Sequence, residues 1–425
     1  MNILIRDILA VLPDGAKVTT VLVEDGFIKS VGEVPSGLKA NKTIPGSGKL
    51  LMPGLVNAHT HVYMTLFRNY ADDLKFNDWL FGKILPLEDK LTPDDCYWGT
   101  LLGFMEMLAC GTTAFNDMYI FTDSAAKAAT EAGMRAVLSR GLSGGADDIS
   151  GGERRLREAA AEIEKWTGYE NLSFMLAPHA PYTCDAGYQK DVAAEALRLG
   201  VGIHTHVSES QSEMQTVREK YGCTPPELLD KTGLLTDKTL AAHCVYLTDS
   251  DIVLLGERGV CVATNPVSNL KLANGVAPVP KMLAAGLNVS LGTDGAASNN
   301  TLNMIRELGL LTTLHKGVTG DPQAVGAREG FDIATKNGAK ALGLDNVGEI
   351  KPGMKADLAI LDLDRPNIQP LNNPVAALAY ASNGSEVETV MVGGKILMEK
   401  RQYTTIDHDK VLFEVNRICE RIGIR

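Results

Sequence analysis

The stretch MPGLVNAHTH, residues 52–61, decides the fold, because an apolar run of strand length ends there in two histidines. His59 and His61 are two residues apart, so on an extended chain both imidazoles point to the same side of the strand. Further apolar runs of similar length follow, each with a helix-length stretch after it. The eight runs begin at Val56 and continue as Thr113–Asn116, Arg135–Ser139, Leu172–Ala177, Val201–His204, Leu240–His243, Val260–Ala263 and Val289–Gly292.

The number and spacing of these runs predict the architecture. Eight strand–helix units over about 290 residues match an α/β fold of the (β/α)8 TIM barrel type, in which active sites lie at the C-terminal ends of the strands. A doubly wound open sheet is the alternative, but no G-x-G-x-x-G sequence opens the first unit.

Both ends of the chain show a different pattern. Asp25-Gly26 separates two apolar runs near the start, and Gly393-Gly394 separates two near the end. Such dipeptides between strand-like runs indicate hairpins. We therefore expect residues 1–55 and 351–425 to pair into one small β domain, beside a barrel formed by residues 56–350.

Composition limits the class of protein and its partners. The chain has 425 residues, is 45% hydrophobic and 22% charged, and carries a net charge of -11. These values are typical of a globular protein and argue against a nucleic-acid polymer as partner, because a protein that neutralises phosphates is usually basic. The seven cysteines form no C-x-x-C pair, and no apolar run approaches membrane-span length. We therefore expect a cytoplasmic protein without a membrane partner.

Histidines concentrate where the predicted strands end. Six of the eight histidines of the chain lie at such ends. They are His59, His61, His179, His204, His206 and His243. Another predicted strand is followed by Asp294. We expect three of these imidazoles and the carboxylate to bind one divalent metal ion, since this set suits Zn²⁺ and also Fe, Mn or Ni.

The predicted ligands are His59, His61, His206 and Asp294. Spacing alone does not choose between His204 and His206. The second lies nearer the end of its strand and nearer Glu209, so we expect it to be the ligand and His204 to support it.

A metal site of this kind predicts a hydrolase. A bound divalent ion lowers the pKa of its water to about 7. A hydrolase of this kind then needs a group that carries a proton from the water to the leaving group. Glu209, three residues after His206, is near enough to be that carrier. His243 would orient the nucleophile or polarise the substrate, and Asp294 would act both as ligand and as proton acceptor.

Several motifs resemble those of the amidohydrolase superfamily. They are MPGLVNAHTH (52–61), HTHVSES (204–210), AAHCVY (241–246), NPVSNLKLANG (265–275) and LGTDGAASNN (291–300). Within it, the chain is most similar to the 5-methylthioadenosine/S-adenosylhomocysteine deaminase family. The signatures are FNDWLFGKILPLEDKL (76–91), GMRAVLSRGL (133–142) and APHAPYTC (177–184). The resemblance covers essentially the whole chain and implies that the β-rich ends form a composite sandwich.

The resemblance also implies a substrate site. Glu88 would accept hydrogen bonds from ribose hydroxyls. Trp79 would form part of the cavity wall around the nucleoside, and His179 would contact its ribose or base. Arg140 and an arginine of the following glycine-rich loop would bind the carboxylate of S-adenosylhomocysteine, since guanidinium matches carboxylate geometry. Arg155 fits the loop position better than Arg154, although the local sequence departs from the family.

The reaction implied is hydrolytic deamination of the adenine ring of 5-methylthioadenosine and S-adenosylhomocysteine, with 5′-deoxyadenosine or adenosine as further candidate substrates. One alternative is a deaminase or hydrolase of another heterocycle, such as guanine, a pterin or a triazine, on the same scaffold. A second is a metal-free binding or scaffold protein. The exposed helices of such a barrel also make a homo-oligomer possible.

Overall fold

The computed structural model describes residues 2–424, which build two β-sheets, one of them surrounded by helices. The strands are β1 (Asn2–Leu12), β2 (Gly15–Glu24), β3 (Phe27–Val31), β4 (Lys42–Pro45), β5 (Lys49–Pro53), β6 (Leu55–Thr60), β7 (Thr112–Tyr119), β8 (Arg135–Leu142), β9 (Leu172–Pro178), β10 (Gly202–Val207), β11 (Thr239–His243), β12 (Cys261–Thr264), β13 (Asn288–Leu291), β14 (Leu358–Asp362), β15 (Val387–Val392), β16 (Lys395–Glu399) and β17 (Gln402–Tyr403).

Helices fill the connections between the strands and extend to the C-terminal end. The helices are α1 (Phe76–Trp79), α2 (Leu85–Glu88), α3 (Pro93–Ala109), α4 (Thr122–Ala132), α5 (Ile149–Trp166), α6 (Ala186–Leu199), α7 (Gln211–Tyr221), α8 (Pro225–Thr232), α9 (Asp249–Glu257), α10 (Pro266–Lys271), α11 (Val279–Ala284), α12 (Met304–Thr319), α13 (Ala327–Ala334), α14 (Lys336–Ala341), α15 (Pro374–Tyr380) and α16 (His408–Ile422). Short 3-10 turns cover Val62–Phe67 and Pro366–Ile368, and a π turn, Leu80–Ile84, joins α1 to α2.

The barrel predicted from the sequence is confirmed. Strands β6 to β13 form one parallel sheet in sequential order, with each strand paired to the next. Most of their residues are buried on both faces, which is why the strands read as continuous apolar runs rather than as alternating ones. Side-chain and backbone hydrogen bonds between β6 and the residues after β13 bring the two edges together.

The second sheet is built from both ends of the chain, as predicted. Its nine strands run in the order β17-β16-β15-β14-β5-β1-β2-β3, with β4 paired to β1. The turn at Gly26, after β2, touches the turn at Gly393, after β15, so the sheet curves strongly around a small apolar core of its own. The predicted hairpins at Asp25-Gly26 and Gly393-Gly394 both form.

Two properties of the whole chain can be read from the same residues. Within 2–424, no helix combines the length and the apolar character that crossing a bilayer requires. Over the same range no disulfide links the cysteines, and six of the seven are buried. Burial raises the pKa of the Cys184 thiol to about 11 and that of the Cys244 thiol still further, so neither is a ready nucleophile.

Candidate active site

The C-terminal ends of five barrel strands bring a compact group of polar side chains together. The group consists of His59 and His61 from β6, His179 after β9, His206 and Glu209 from and after β10, His243 at the end of β11 and Asp294 after β13. All except His179 are buried. The other six polar side chains are buried together at one end of the barrel. Packing alone does not require this arrangement, because buried polar groups are costly unless they are paired.

The backbone is held in an unusual conformation at three of these strand ends. Ser208, His243 and Asp294 have φ values of 51°, 71° and 60°, in the left-handed region that residues with a Cβ rarely adopt. At Asp294 the backbone N–H donates to the carbonyl of His59, 3.0 Å away, which holds the turn. Strain of this kind costs on the order of 1–3 kcal/mol and is concentrated at functional sites.

A chain of hydrogen bonds fixes the protonation of His59. The Ser139 hydroxyl donates to the Asp117 carbonyl at 2.7 Å, so it accepts from Nδ1 of His204, 3.3 Å away. Nε2 of His204 then carries a lone pair and accepts from Nδ1 of His59 at 2.7 Å. Nε2 of His59 is therefore unprotonated, and this buried atom has no hydrogen-bond partner. Its lone pair is available to a metal ion.

His61 and His206 are held in the same way. Nδ1 of His61 donates to the carbonyl of Met118 at 2.5 Å, and Nδ1 of His206 donates to the carbonyl of His179 at 2.6 Å. A carbonyl only accepts, so Nδ1 is the protonated nitrogen in both rings. The two Nε2 atoms point at each other across 3.4 Å, which leaves their lone pairs facing a common centre.

Asp294 is ionised. Its Oδ1 lies 3.2 Å from Nε2 of His61 and 3.4 Å from Nε2 of His59, and its Oδ2 accepts from the hydroxyls of Ser268 and Ser298 at 2.6 and 2.7 Å. Burial opposes the charge, but the imidazoles beside the carboxylate outweigh burial and hold the pKa of Asp294 well below its usual range. The carboxylate places a negative charge among the rings.

These residues fit a divalent metal ion. The ligand atoms of His59, His61 and Asp294 all lie within 4.8 Å of one another, and those of His59, His206 and His243 do so as well. Burial lowers the pKa of His61, but the Asp294 carboxylate beside Nε2 raises this pKa to about 9, so Nε2 readily binds a cation, either a proton or a metal ion. The cluster thus attracts positive charge at one point, and imidazole nitrogens with a carboxylate oxygen are suitable ligands for a borderline metal.

Glu209 lies beside the cluster and is held from two sides. Its Oε1 accepts from the amide of Asn274 at 3.1 Å, and its Oε2 lies 3.9 Å from Nε2 of His243. The backbone N–H groups of Ser208 and Glu209 both donate to the carboxylate of Glu213 at 2.8 Å, which fixes the turn that carries Glu209. Burial raises the pKa of Glu209, so its carboxyl can hold a proton closer to neutral pH.

A cavity of about 290 Å³ opens above the cluster. Its floor is formed by the polar residues, and the segment from α1 to α2 forms an apolar wall that includes Phe76, Trp79 and Phe81. Trp79 is buried, and its indole N–H has no partner among the described residues, whereas Phe81 is 53% exposed at the cavity mouth. A concave site with an apolar wall and a few convergent polar groups is typical of small-molecule binding.

Glu88 and His179 also line this cavity. The Tyr119 hydroxyl donates to Glu88, while burial raises the pKa of the Glu88 carboxyl. Nδ1 of His179 lies 3.0 Å from the hydroxyl of Thr183, and burial lowers the pKa of His179 to about 4, so the ring is neutral. The cavity therefore presents one carboxyl group and one neutral imidazole on its walls.

Arg140 does not line the cavity, although its neighbour Gly141 does. The guanidinium of Arg140 donates to Glu158 at 2.6 Å and to Glu162 at 3.2 Å, both on α5. Alternate residues of a strand point to opposite faces, so Arg140 points away from the cavity toward the helices. The structure thus separates this predicted substrate contact from the other predicted site residues.

Arg155 lies closer to the cavity. Its Nε donates at 2.8 Å to the carbonyl of Ser143, which lines the cavity, and its guanidinium also binds Asp148 at 2.5 Å. Arg154 is largely exposed and lies 3.8 Å from Glu158. Both arginines lie in helix α5 rather than in the expected glycine-rich loop, and Arg155 is the one near the rim.

Several side chains at the site were not singled out in the sequence. Tyr119 contacts Glu88, Ser268 and Ser298 bind Asp294, and Asn269 and Asn274 bind His243 and Glu209. The motif at 265–275 held a signal for three of them, because a run rich in polar side chains follows a barrel strand there. Tyr119 ends β7, at the same edge as the histidines.

Comparisons with known proteins find relatives over nearly the whole chain. The model of the "Amidohydrolase family" matches residues 50–397. A protein of Dictyoglomus thermophilum named "5-methylthioadenosine/S-adenosylhomocysteine deaminase" is 47% identical over 421 residues, 98% of each chain. The structure of an adenosine deaminase from Xanthomonas campestris with bound zinc is 34% identical and covers 99% of this chain and 98% of its own, with a TM-score of 0.94. A triazine hydrolase variant is 25% identical, covers 98% and 99% and has a TM-score of 0.91.

Proposed function

This chain belongs to the amidohydrolase family, and from that membership we propose that it deaminates adenosine-type nucleosides by hydrolysis. The products are ammonia and the inosine analogue. The substrates are 5-methylthioadenosine and S-adenosylhomocysteine, together with 5′-deoxyadenosine or adenosine. The observation that carries this proposal is the position of Glu88 on the wall of the same cavity whose floor holds Glu209 and the metal-binding cluster.

We propose that His59, His61, His206 and Asp294 hold one Zn²⁺ ion. The unpartnered Nε2 of His59 and the inward lone pairs of the other two rings support this set. The adenosine deaminase of Xanthomonas campestris contains zinc, which favours this metal over Fe, Mn or Ni. When bound, such an ion lowers the pKa of water and supplies a nucleophile near neutral pH.

The protein's own groups move the protons. Glu209 receives a proton from the attacking water and delivers it to the ring nitrogen next to the reacting carbon, for which its raised pKa is suited. Asp294, ionised and fixed by two serine hydroxyls, accepts the remaining proton and passes it toward the leaving amine. Nε2 of His243 faces the same space and orients the reacting groups.

The cavity walls select the substrate in this proposal. Glu88 accepts hydrogen bonds from the ribose hydroxyls, since a carboxylate is a good acceptor for a diol. Trp79 covers the nucleoside, and His179 contacts its ribose or base edge. Arg155 meets a 5′ carboxylate at the rim. Arg140 would bind this carboxylate only after its guanidinium had left Glu158 and Glu162. We therefore assign the main contact with the carboxylate to Arg155.

No observation favours the alternatives. A guanine, pterin or triazine carries no ribose and gives Glu88 no partner in the cavity. A metal-free scaffold protein does not need four ligands with their lone pairs turned inward. We also keep the domain division at 1–55, 56–350 and 351–425 as a proposal, as we do the homo-oligomer, for which size-exclusion chromatography with light scattering is the test.

The test is a panel of purified substrates followed by the absorbance change on deamination. It contains 5-methylthioadenosine, S-adenosylhomocysteine, 5′-deoxyadenosine, adenosine, guanine and a pterin. We expect turnover of the adenosines only. Glu209→Gln should lower kcat by about 10²–10⁴-fold with zinc retained, because it removes the proton carrier. The exposed Glu219→Gln on the following helix is the matched control. Turnover of guanine or the pterin alone would replace the proposal with the alternative.

A further inference from the structure

The segment 265–275, after β12, supplies none of the proposed ligands, proton carriers or orienting groups, yet it hydrogen-bonds three of them. Ser268 donates to Oδ2 of Asp294 at 2.6 Å, Asn269 accepts from Nδ1 of His243 at 2.8 Å, and Asn274 donates to Oε1 of Glu209 at 3.1 Å. Ser268, Asn269 and Asn274 are 1%, 2% and 5% exposed. One short segment thus contacts Asp294, His243 and Glu209 at once.

The segment is itself held at both ends. The N–H groups of Asn274 and Gly275 donate to the carbonyl of Asn269 at 2.8 and 3.3 Å, which closes the loop after α10. At the start of α10, the N–H of Val267 donates to the carboxylate of Glu307 at 3.1 Å. Because its backbone is tied on two sides, the segment can hold other side chains in place.

Asn269 determines which nitrogen of His243 is protonated. The amide oxygen of Asn269 only accepts, so Nδ1 of His243 carries the proton and Nε2 carries the lone pair. That lone pair faces the carboxyl of Glu209 across 3.9 Å. In the other tautomer Nδ1 would meet the Asn269 oxygen as a second acceptor, and Nε2 would present a proton toward the centre of the cluster.

Asn274 determines which oxygen of Glu209 is free. Its amide N–H occupies Oε1, so Oε2 is the oxygen that faces His243 and the cavity. Ordering a glutamate side chain costs rotamer entropy, and a donor that already holds Glu209 meets this cost before the substrate binds. A proton carrier held in one rotamer stays within hydrogen-bond reach of the reacting atoms.

We propose that Asn269 and Asn274 are positioning residues for the proton transfer, and that they act together because one rigid segment carries both. The proposal rests on the proposed function for its kinetic consequence. Neither amide touches the reacting atoms, since each acts through the side chain it holds. Ser268 does the same for Asp294, but through a carboxylate that three other side chains also fix.

The kinetic test compares substitutions of similar size. Asn269→Leu and Asn274→Leu should each lower kcat for 5-methylthioadenosine by about 10–100-fold, as loss of a group that orients an active-site residue typically does. KM and zinc content should stay within about two-fold. Asn269→Asp keeps an acceptor for Nδ1, so it should recover most of the kcat that Asn269→Leu loses.

The matched control is Asn288→Leu, at the opposite end of the barrel. Asn288 starts β13, and its amide donates to the sulfur of Cys261 and to the carbonyl of Asn337. The same chemical change there should lower Tm without lowering kcat. The proposal is wrong if Asn269→Leu and Asn274→Leu lower Tm but leave kcat unchanged, as the control does. It is also wrong if KM and kcat fall together with zinc content. In either case the two amides have only a structural role.

A second measurement does not depend on activity. In zinc-loaded protein labelled with ¹⁵N-histidine, the ring signals of His243, assigned from a His243→Gln spectrum, should show a protonated Nδ1 and an unprotonated Nε2. Asn269→Leu should change this pattern, and Asn269→Asp should restore it. An unchanged pattern in Asn269→Leu overturns the role of Asn269. If the wild-type protein deaminates no adenosine, the proposed function fails, while the ¹⁵N result still decides the inference.

Discussion

Four histidines of the site use Nδ1 for support and leave Nε2 for chemistry, but their supporting partners differ. His61 and His206 donate to backbone carbonyls, His243 donates to an amide, and His59 donates to another imidazole, His204. Imidazole is the only one of these partners that can itself change protonation. Burial lowers the pKa of His204 well below its usual range, which keeps the ring neutral and able to accept from His59.

The role of Glu88 is open to a direct test. Glu88→Ala should raise KM for 5-methylthioadenosine by about 10-fold or more, because a hydrogen bond to a charged group contributes about 1.5–3 kcal/mol. Its effect on kcat should be smaller, since the carboxyl lies on the wall and not at the reacting atoms. The measurement is steady-state kinetics with 5-methylthioadenosine and with adenosine. Unchanged KM for both nucleosides would remove the ribose assignment.

The two arginines make different predictions for a charged substrate. Arg155→Ala should raise KM for S-adenosylhomocysteine but leave KM for 5-methylthioadenosine unchanged, because only the first carries a carboxylate. Arg140→Ala should affect both substrates equally, since Glu158 and Glu162 already bind its guanidinium. The ratio of kcat/KM for the two substrates separates these outcomes. A selective loss in Arg140→Ala would show instead that this guanidinium leaves α5 for the substrate.

The sequence predicted the residues that meet at the cluster better than the groups that support them. The proposed metal ligands lie in short motifs at strand ends, so the strand count alone brings His59, His206 and Asp294 to one edge of the barrel. The partner of His243 is Asn269, which is 26 positions away. That contact depends on where the short helix α10 lies over the barrel, and no periodic pattern in the sequence predicts this position.

At the scale of elements, the parallel strands were predictable because they are buried on both faces. Their bounds differ from the prediction by a few residues at most, as for β7, which extends to Tyr119. Helix α16 was not predicted, although its buried residues Val411, Val415, Ile418 and Ile422 are spaced as one helical face. Because the residues before this helix show a β-rich pattern, the whole C-terminal segment was predicted as β-structure.

The contact between β6 and the turn after β13 depends on a residue without a side chain. A Cβ on Gly292 would lie 2.7 Å from the carbonyl oxygen and 2.9 Å from the nitrogen of His59, and backbone atoms cannot move aside as a side chain can. We expect Gly292→Ala to destabilise the protein by about 1–3 kcal/mol and to lower zinc content, because it displaces a proposed ligand. Thermal unfolding and metal analysis are the measurements.

The control for this substitution is Gly317→Ala in α12, where a Cβ would meet nothing within 4 Å. Alanine is the better helix former by about 1 kcal/mol, so Tm should stay constant or rise slightly. Equal zinc content and equal Tm in Gly292→Ala and Gly317→Ala would mean that the barrel tolerates a methyl group at the β6–β13 contact.

At the scale of the whole molecule, one buried ion pair connects the barrel to the terminal sheet. Arg135 begins β8, and its guanidinium donates to both oxygens of Asp357, just before β14, at 2.6 and 2.9 Å. Asp357 also accepts from the N–H of Gly393 at 2.7 Å, so it fixes the turn between β15 and β16 as well. The pairing joins residues 222 positions apart, a distance over which sequence patterning carries no information.

Removing one partner of this pair should therefore loosen the connection between the two sheets. Arg135→Met leaves Asp357 buried without its cation, which typically costs about 3–5 kcal/mol, and the free energy of unfolding in urea should fall by that amount. Adding Asp357→Asn to Arg135→Met should recover part of the loss, because it removes the unpaired charge and keeps an acceptor for Gly393. Arg198→Met, which breaks exposed pairs with Glu164 and Glu195 on the barrel surface, should cost at most about 1 kcal/mol.

Since Arg135 lies at the N-terminal end of β8, far from the strand ends that carry the cluster, kcat of the folded Arg135→Met protein should stay near that of the wild type. A loss no larger than that of Arg198→Met would mean that apolar packing alone holds the barrel and the terminal sheet together.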